Sequence, residues 1–295
     1  MAFDSNKIIT TLLKSVGHLS RSLTISQRGS LGRFMGKVLK SASKKRYRIT
    51  FNNIAQAFPE KHTQWHQETA LKSYENLGIT LVELLAFPDL NDEIVAKYIR
   101  YDNVELLEEL HARGHGLLLL SGHYGNWELL AYSAGLFSRL PISIIVKPQQ
   151  NRYADELLNR YRTQRGNRVI PMGQAARAII QALKNGEAVA LLADQSATSD
   201  KDIFVDFFGR PAATYEAPAA LALRFKTPIV IGFAKRQEDG TYRVRLSEIP
   251  HEDLQNTPEG IRELTRRHVR ALENAIRERP ELWSWQHRRW KHQPK

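Results

Sequence analysis

The sequence contains no cysteine among its 295 residues. This absence excludes disulfide bonds, thiolate metal ligands and thiol nucleophiles. The sequence also has no Gly-x-x-x-x-Gly-Lys loop, no Gly-x-Gly-x-x-Gly turn and no His-Glu-x-x-His metal motif. Gly-x-Ser-x-Gly is missing too, which argues against a serine nucleophile on a strand-to-helix turn. His251, His268, His287 and His292 lack the spacing of metal ligands, and we expect most of them at the surface.

Long hydrophobic runs are missing as well. No stretch approaches the ~18 uninterrupted apolar residues that a membrane-spanning helix requires. Residues 8–13 are short, are interrupted by threonines and precede no small-residue cleavage site, so they do not predict a signal peptide. We therefore expect a protein that stays on the cytoplasmic side and does not span the bilayer.

Positive charge is in excess, with a net charge of +12 and an isoelectric point near 9.9. Such an excess predicts an anionic partner, for example a membrane surface, a nucleic acid or an acidic protein. Residues 262–295 are basic. A second basic cluster lies near the amino terminus and consists of Arg33, Lys37, Lys40, Lys44, Lys45, Arg46 and Arg48.

The first forty residues have the periodicity of two amphipathic helices. Apolar residues recur at helical spacing from Ile8 to Leu23 and from Leu31 to Leu39, with basic residues between them. A basic face beside an apolar stripe is typical of a helix in a membrane interface. The alternative is that both stripes pack on the body of the protein while the cations are solvated. We predict peripheral membrane contact, because the basic cluster continues beyond the second helix.

Residues 104–246 alternate between helical and strand-like segments, which predicts an α/β fold. Each predicted strand follows a helical segment, and these strands lie at 115–120, 142–146, near 169, 188–192 and 229–233. The alternation implies a largely parallel central sheet with helices on both faces. Residues 242–246 predict an antiparallel edge strand after the Asp239-Gly240 turn. Further helices are predicted at 47–58, 65–87 and 262–279.

Polar residues directly after the predicted strands mark the edge of such a sheet where ligands bind. Ser121 and His123 follow one strand, Lys147 follows the next, and Asp194 and Gln195 follow a third. Because the strands are parallel, we expect these side chains to converge. For Asp194 the alternative is a helix cap or a solvated loop residue.

The stretch SGHYGNWE at residues 121–128 follows four leucines and leads into a helical segment. Within one helix, His123 and Glu128 would lie about 140° apart and could not meet. With His123 in the turn and Asn126 as the N-cap, Glu128 can reach the imidazole from the first helical turn. A carboxylate on one ring nitrogen leaves the other nitrogen free to take a proton from a hydroxyl. The alternative is a buried turn in which the two residues only satisfy each other.

Five stretches together resemble one known family. They are ITFNNIAQAFPE at residues 49–60, SGHYGNWE at 121–128, ADQ at 193–195, VDFFGRPAAT at 205–214 and PELWSWQHRRWK at 280–291. In their order and separation they are similar to the bacterial lysophospholipid and lipid A late acyltransferases. The resemblance extends over nearly the whole chain from residue 49. It implies a glycerolipid-acyltransferase-like fold, with membrane-associating basic helices at 1–48 and an acyltransferase domain at 49–295.

The resemblance also implies roles for individual residues. His123 would be the general base on the acceptor hydroxyl, and Glu128 would orient it. Backbone N–H groups around Gly125 and Asn126 would stabilise the oxyanion. Substrate contacts are implied for Asn126, Lys147, Arg165, Asp194 and Gln195. Of these, Lys147 and Arg165 would hold phosphate groups, with solvated surface charge as the alternative. No metal and no bound cofactor are implied.

The implied activity is O-acyl transfer from a fatty acyl thioester to a hydroxyl of a membrane glycolipid such as a lipid A precursor. The donor would be acyl carrier protein or coenzyme A, and the protein would work peripherally on the cytoplasmic face of the inner membrane. Many members begin with a spanning helix and read Asp-x-Asp where this chain reads Asp194, Gln195, Ser196. These differences favour, as an alternative, a different lysolipid or glycolipid acceptor.

Two further classes remain as alternatives at the level of sequence. A basic membrane- or nucleic-acid-binding module without chemistry would explain the charge, but it would leave the strand-end residues without a role. The aromatic residues are mostly not interleaved with the cations as a base-stacking surface requires, so no nucleic-acid partner is expected. The second class is a thioester hydrolase of the same fold, which would release free fatty acid.

Overall fold

The computed structural model describes residues 5–87, 90–164, 166–197 and 203–294, and for residues 5–10, 12 and 13 it describes the backbone only. Four helices come first along the chain: α1 (Ser5–Arg21), α2 (Ile25–Ala42), α3 (Lys44–Ala57) and α4 (Thr63–Leu84). The two predicted amino-terminal helices are thus confirmed. Helix α3 crosses the boundary expected after residue 48, and the division of the chain into two regions stays a prediction.

The central sheet has seven strands in the order β1-β9-β8-β2-β5-β3-β4. Its strands are β1 (Ile99–Tyr101), β2 (Leu117–Ser121), β3 (Ile142–Val146), β4 (Arg168–Pro171), β5 (Ala188–Leu192), β8 (Ile229–Arg236) and β9 (Tyr242–Glu248). All neighbours are parallel except β8 and β9. The predicted antiparallel pairing of β9 is confirmed. Its predicted place at the edge is wrong, because Ile99 of the short strand β1 pairs with Tyr242.

Helices cover both faces of the sheet, as the alternation predicted. They are α5 (Asp92–Tyr98), α6 (Glu105–His111), α7 (Trp127–Ser138), α8 (Arg152–Thr163), α9 (Ala175–Lys184), α10 (Ala217–Phe225) and α11 (Pro258–Glu278). Strand β2 explains the run of leucines: Leu118 and Leu120 are buried in the core on one face, and Leu117 in the core on the other. A central parallel strand has no solvent face, so each position is apolar.

A two-stranded antiparallel hairpin, β6 (Ile203–Phe207) and β7 (Arg210–Thr214), was not expected from the pattern. Its turn contains Phe208 and Gly209, both with positive φ. The Phe207 side chain is buried, and the Phe208 backbone N–H donates to Glu273 of α11 at 2.8 Å. The hairpin is built from the family-like stretch at 205–214 and packs against α11.

Helix α2 packs along α4 through glycines rather than through its predicted apolar stripe. Gly32 and Gly36 face Gly78 so closely that a Cβ on Gly32 would lie 2.4 Å from Ile79 Cα. Of that stripe, Phe34 and Val38 are instead 64% and 52% exposed. The alternative was that the whole stripe packs on the body of the protein. It is wrong for Phe34 and Val38, whose side chains are exposed. Within the described part of the chain, no helix is long and apolar enough to cross a bilayer.

Candidate active site

The site forms where two neighbouring parallel strands end together. Ser121 of β2 is paired in register with Leu192 of β5, and Ala193 N–H donates to the Ser121 carbonyl at 3.0 Å. His123 and Asp194 each lie two residues beyond this pair, so the register brings them face to face. The convergence predicted for these strand ends is confirmed for this pair.

Asp194 is the carboxylate partner of His123. Its Oδ1 lies 2.8 Å from His123 Nδ1, and its Oδ2 accepts the His123 backbone N–H at 2.7 Å. Trp283 Nε1 also donates to Oδ2, at 2.8 Å. The side chain of Asp194 is only 2% exposed. Both oxygens are buried and engaged by His123 and Trp283, so contact of Asp194 with substrate stays a prediction for which the side chain offers no free atom.

The two side chains shift each other's pKa in opposite directions. Burial alone would raise the pKa of Asp194, but the charge and hydrogen bonds of His123 outweigh it and hold that pKa well below its usual range. Burial alone would lower the pKa of His123, but the charge and hydrogen bond of Asp194 outweigh it and raise that pKa above 6.5. Because Asp194 stays ionised, Nδ1 of His123 carries a proton and Nε2 is the proton-accepting nitrogen.

Glu128 lies in the first turn of α7, as predicted, but it does not reach the imidazole. Its carboxylate accepts two hydrogen bonds from Arg162 of α8, at 2.9 and 2.6 Å. The predicted direct orientation of His123 by Glu128 is therefore wrong, since the bidentate guanidinium holds both carboxylate oxygens. The negative charge of Glu128 still contributes to raising the pKa of His123. A catalytic role for Glu128 stays a prediction.

Asn126 caps α7, which confirms its predicted structural position. Its Oδ1 accepts the Leu129 N–H at 2.9 Å, and its Nδ2 donates to Glu83 at 2.8 Å. The side chain is fully buried with both polar atoms engaged. Asn126 thus shapes the start of the helix. Its contact with substrate stays a prediction, and both polar atoms of its side chain are already hydrogen-bonded within the protein.

The backbone N–H groups expected to stabilise the oxyanion are also occupied. Gly125 N–H donates to the Leu282 carbonyl at 2.8 Å, and Asn126 N–H donates to the Ala234 carbonyl at 3.4 Å. Both groups hold the turn against neighbouring segments. The expectation that they face the reacting carbonyl is therefore wrong for this arrangement.

A buried polar network behind the turn was missed from the sequence. Glu83 of α4 lies 4% exposed and accepts hydrogen bonds from Asn126, Tyr242 and Arg236. On the same helix, Thr80 and Asn76 donate to the Gly125 carbonyl at 2.9 and 3.2 Å. A single carboxylate within the apolar run TLVELL was the available signal, because an acid in a buried stripe needs partners. The network fixes the backbone that carries His123.

The carboxyl-terminal segment completes the site. Ser284 N–H donates to the His123 carbonyl at 2.9 Å, and Ser73 of α4 donates to the Trp283 carbonyl at 2.7 Å. Asn53 of α3 donates to the carbonyls of Trp285 and His287 at 2.8 and 2.6 Å. These hydrogen bonds join two of the family-like stretches, 49–60 and 280–291, next to the turn that carries His123.

Gln195 and His287 lie on the Nε2 side of the His123 imidazole, opposite Asp194. Gln195 Nε2 is 3.3 Å from His123 Nε2 and 3.1 Å from His287 Nε2. Gln195 thus reaches the site, as predicted. The expectation that most of the four late histidines lie at the surface is wrong: His251 and His268 are buried, and His287 and His292 are partly buried.

The two predicted phosphate-binding cations differ in what the structure shows. Lys147 follows β3 at the same edge of the sheet, is exposed, and lies near enough to His287 to contribute to lowering its pKa. Arg165 lies outside the described residues. Phosphate binding by either residue stays a prediction. Among the residues that the structure describes, no three His, Asp or Glu side chains are grouped as metal ligands.

With this geometry in place, comparison with known proteins decides the family. The model of the family described as bacterial lipid A biosynthesis acyltransferase matches residues 5–292. The chain belongs to this family. Membership of the bacterial lipid A biosynthesis acyltransferases confirms the resemblance seen in the five stretches and shows that the protein is an acyltransferase.

Named relatives of the acyltransferase are similar over most of their length. The lipid A biosynthesis lauroyltransferase of Escherichia coli K12 is 25% identical over 270 residues, which cover 90% of this chain and 85% of the relative. The palmitoleoyltransferase of the same organism is 23% identical, with 90% and 85% covered. The myristoyltransferase is 23% identical, with 86% and 77% covered. These family members are named for different acyl chains.

Proposed function

We propose that this protein is a peripheral membrane O-acyltransferase that moves a fatty acyl chain from a thioester to a hydroxyl of a membrane glycolipid, such as a lipid A precursor. The observation that carries the proposal is the 2.8 Å contact between His123 Nδ1 and Asp194, which leaves Nε2 as the proton acceptor. A base that is fixed in one tautomer at the open end of a sheet suits alcoholysis of a thioester.

The reaction follows from this arrangement. His123 Nε2 takes the proton of the acceptor hydroxyl while its oxygen attacks the thioester carbonyl. Asp194 stabilises the imidazolium that forms, because its carboxylate is already ionised and in contact with Nδ1. The tetrahedral intermediate then expels the thiolate, which takes the proton back from Nε2. The products are the acylated lipid and a free thiol, and His123 returns to its neutral form.

The donor in this proposal is an acyl thioester of acyl carrier protein or coenzyme A, and no cofactor is bound. The acceptor is proposed from the names of the relatives, which are lipid A biosynthesis enzymes. Lys147 and, beyond the described residues, Arg165 are the cations we propose for phosphate groups of either substrate. A nucleic-acid partner is not part of the proposal.

We place the enzyme on the cytoplasmic face of the inner membrane through α1 and the exposed face of α2. That face consists of Arg33, Phe34, Lys37 and Val38, which follow one another at helical spacing and are all exposed. Leu19 of α1 is also 53% exposed. Two cations beside two large apolar side chains match an anionic lipid surface, where the apolar groups enter the interface and the cations pair with headgroups.

Transfer by a His123→Ala variant tests the proposal. Wild-type protein is incubated with acyl carrier protein or coenzyme A thioesters and a lipid A precursor, and mass spectrometry measures acylated lipid and free fatty acid. We expect acylated lipid to be the main product, and we expect its rate to fall about 10² to 10⁴-fold in the variant. Free fatty acid as the main product in the presence of acceptor would favour hydrolysis instead, and undiminished transfer would reject His123 as the base.

A further inference from the structure

The amide of Gln195 lies between two imidazoles. Its nitrogen is 3.3 Å from the proton-accepting Nε2 of His123 and 3.1 Å from Nε2 of His287. The centroids of the two histidine rings are 5.3 Å apart. An amide nitrogen has two N–H groups and no lone pair to offer, so in this arrangement it donates one hydrogen bond to each ring.

This pattern requires particular proton positions on both rings. His123 carries its proton on Nδ1 toward Asp194 and accepts at Nε2, so it is neutral. His287 also accepts at Nε2. With the amide reversed, the oxygen would face both rings and both Nε2 atoms would have to donate, which makes His123 an imidazolium. The direction of the Gln195 amide is thus coupled to the charge on His123.

His287 is suited to hold the amide nitrogen inward because it stays neutral. Burial and the charges of His123, Arg46 and Lys147 lower its pKa to about 4, while Asp194 acts in the opposite direction. The backbone of His287 is also held, since Asn53 donates to the His287 carbonyl at 2.6 Å. With its proton on Nδ1, the neutral imidazole offers the Nε2 lone pair to Gln195 across the whole pH range in which His123 titrates.

We propose that His287 is a positioning residue that acts on His123 through the amide of Gln195. By anchoring one N–H of the amide, it keeps the other N–H on Nε2 of His123, which favours the uncharged base. Asp194, together with Glu128, favours the charged form, while Arg162 opposes it. The two sides set the pKa of His123, and the acceptor hydroxyl replaces the Gln195 N–H at the single lone pair of Nε2 when it binds. This inference rests on the proposed role of His123 as the base.

The test measures the pKa of His123 directly, by ¹⁵N NMR of the histidine rings in the full-length protein without substrate. His287→Phe keeps a ring but removes the acceptor, and His287→Gln restores an acceptor oxygen. Gln195→Ala removes the link itself. His268→Phe is the matched control, because it also replaces a buried histidine with a pKa of about 4, on α11.

We expect His287→Phe and Gln195→Ala to raise the pKa of His123 by about half a unit to one unit, the size of one net hydrogen bond. His287→Gln should return it toward the wild-type value, and His268→Phe should leave it unchanged. An unchanged pKa in folded His287→Phe would overturn the inference even if Gln195→Ala raises the pKa, as would a wild-type His287 that titrates near 6.5. If His287→Phe fails to fold, Gln195→Ala decides.

The NMR readout needs no turnover, so its failure is distinguishable from failure of the proposed function. A His123→Ala variant with undiminished transfer would reject His123 as the base, while the coupling between the three side chains would still be measured in the wild-type protein. In the transfer assay, kcat/KM falls at low pH as His123 becomes protonated, and we call this part of the pH profile the acid limb. The same variants should move the acid limb to higher pH. A merely structural role of His287 would change the amount of folded enzyme without moving that limb.

Discussion

Asp194 holds both the ring and the backbone of His123, through Nδ1 at 2.8 Å and the amide N–H at 2.7 Å. Two contacts from one carboxylate fix the position of the ring as well as its tautomer. The carboxylate is held in turn by Trp283, whose indole N–H donates to it at 2.8 Å. The base is therefore prepared before substrate arrives, which is the condition for efficient general base catalysis.

The raised pKa of His123 predicts the pH dependence of transfer. Only the uncharged ring accepts a proton, so kcat/KM should fall as the pH drops through a pKa above 6.5. The ion pair with Asp194 contributes stability below 6.5, and this contribution is lost as the pH rises through the folded pKa of His123. Values of kcat/KM measured between pH 5 and 9 test the predicted pH dependence. A fall in kcat/KM with a midpoint below pH 6.5 would contradict it.

Removal of the Glu128 carboxylate should destabilise the fold, because Arg162 is left partly buried without its partner. The two side chains are 11% and 12% exposed. We expect Glu128→Gln to lower the free energy of unfolding by about 2–4 kcal/mol. The acid limb should also move to lower pH, since the negative charge of Glu128 raises the pKa of His123. Denaturant unfolding and the pH profile measure the two effects.

The matched control for this prediction is the exposed pair Arg152 and Glu156, whose side chains are 88% and 56% exposed. Glu156→Gln should change stability by less than about 1 kcal/mol. The double variant Glu128→Gln, Arg162→Gln should recover part of the lost stability and part of the pKa shift. An acid limb that is unmoved in Glu128→Gln would show that Glu128 does not act on His123.

The turn before α7 requires glycine at position 125 for two reasons that can be separated. Gly125 has φ of +57°, and a Cβ there would lie 1.7 Å from the Ala234 carbonyl oxygen. Gly186 has φ of +74° with nothing within 4 Å of an added Cβ. We expect Gly186→Ala to cost about 1–2 kcal/mol for the backbone conformation alone. Gly125→Ala should cost clearly more, and equal costs in thermal unfolding would contradict the close approach.

The exposed face of α2 should govern binding to anionic vesicles. We expect Phe34→Ser combined with Val38→Ser to weaken partitioning at least about tenfold, because two largely exposed apolar side chains no longer enter the interface. Arg33→Glu should weaken it further at low salt. Lys184→Glu, an equal change of charge on α9, is the control. Binding is measured by co-flotation with the vesicles. A double serine variant that floats as the wild type does would show that this face does not contact the membrane.

Much of the fold followed from periodicity, because buried parallel strands and amphipathic helices have strong patterns. The strands at 142–146 and 188–192 have the predicted bounds. Strand β1 was missed because three residues are too few for a pattern. Helix α2 shows a different limit: three of its four buried residues are glycines, and the packing of Gly32 and Gly36 depends on the close approach of α4 and not on hydrophobicity.

The sequence predicted which strand ends form the site, but it did not predict which carboxylate contacts His123. The strand ends placed His123 and Asp194 at one edge, but sequence proximity favoured Glu128 as the partner. The choice depended on strand register, which pairs Ser121 with Leu192, and on Arg162, which lies 34 residues from Glu128. Trp283 and His287 reach the site only through tertiary contacts, so only the family-like stretch at 280–291 pointed to them.

The central claim is that His123 takes the proton and that Asp194 makes it able to do so. The most direct measurement is kcat for acyl transfer by Asp194→Asn, with unfolding measured in parallel. Asparagine keeps the size but removes the charge that fixes the tautomer and supports the imidazolium. We predict a fall of about 10² to 10⁴-fold in a protein that still folds, with an acid limb at lower pH. A folded variant within threefold of wild type would contradict the claim.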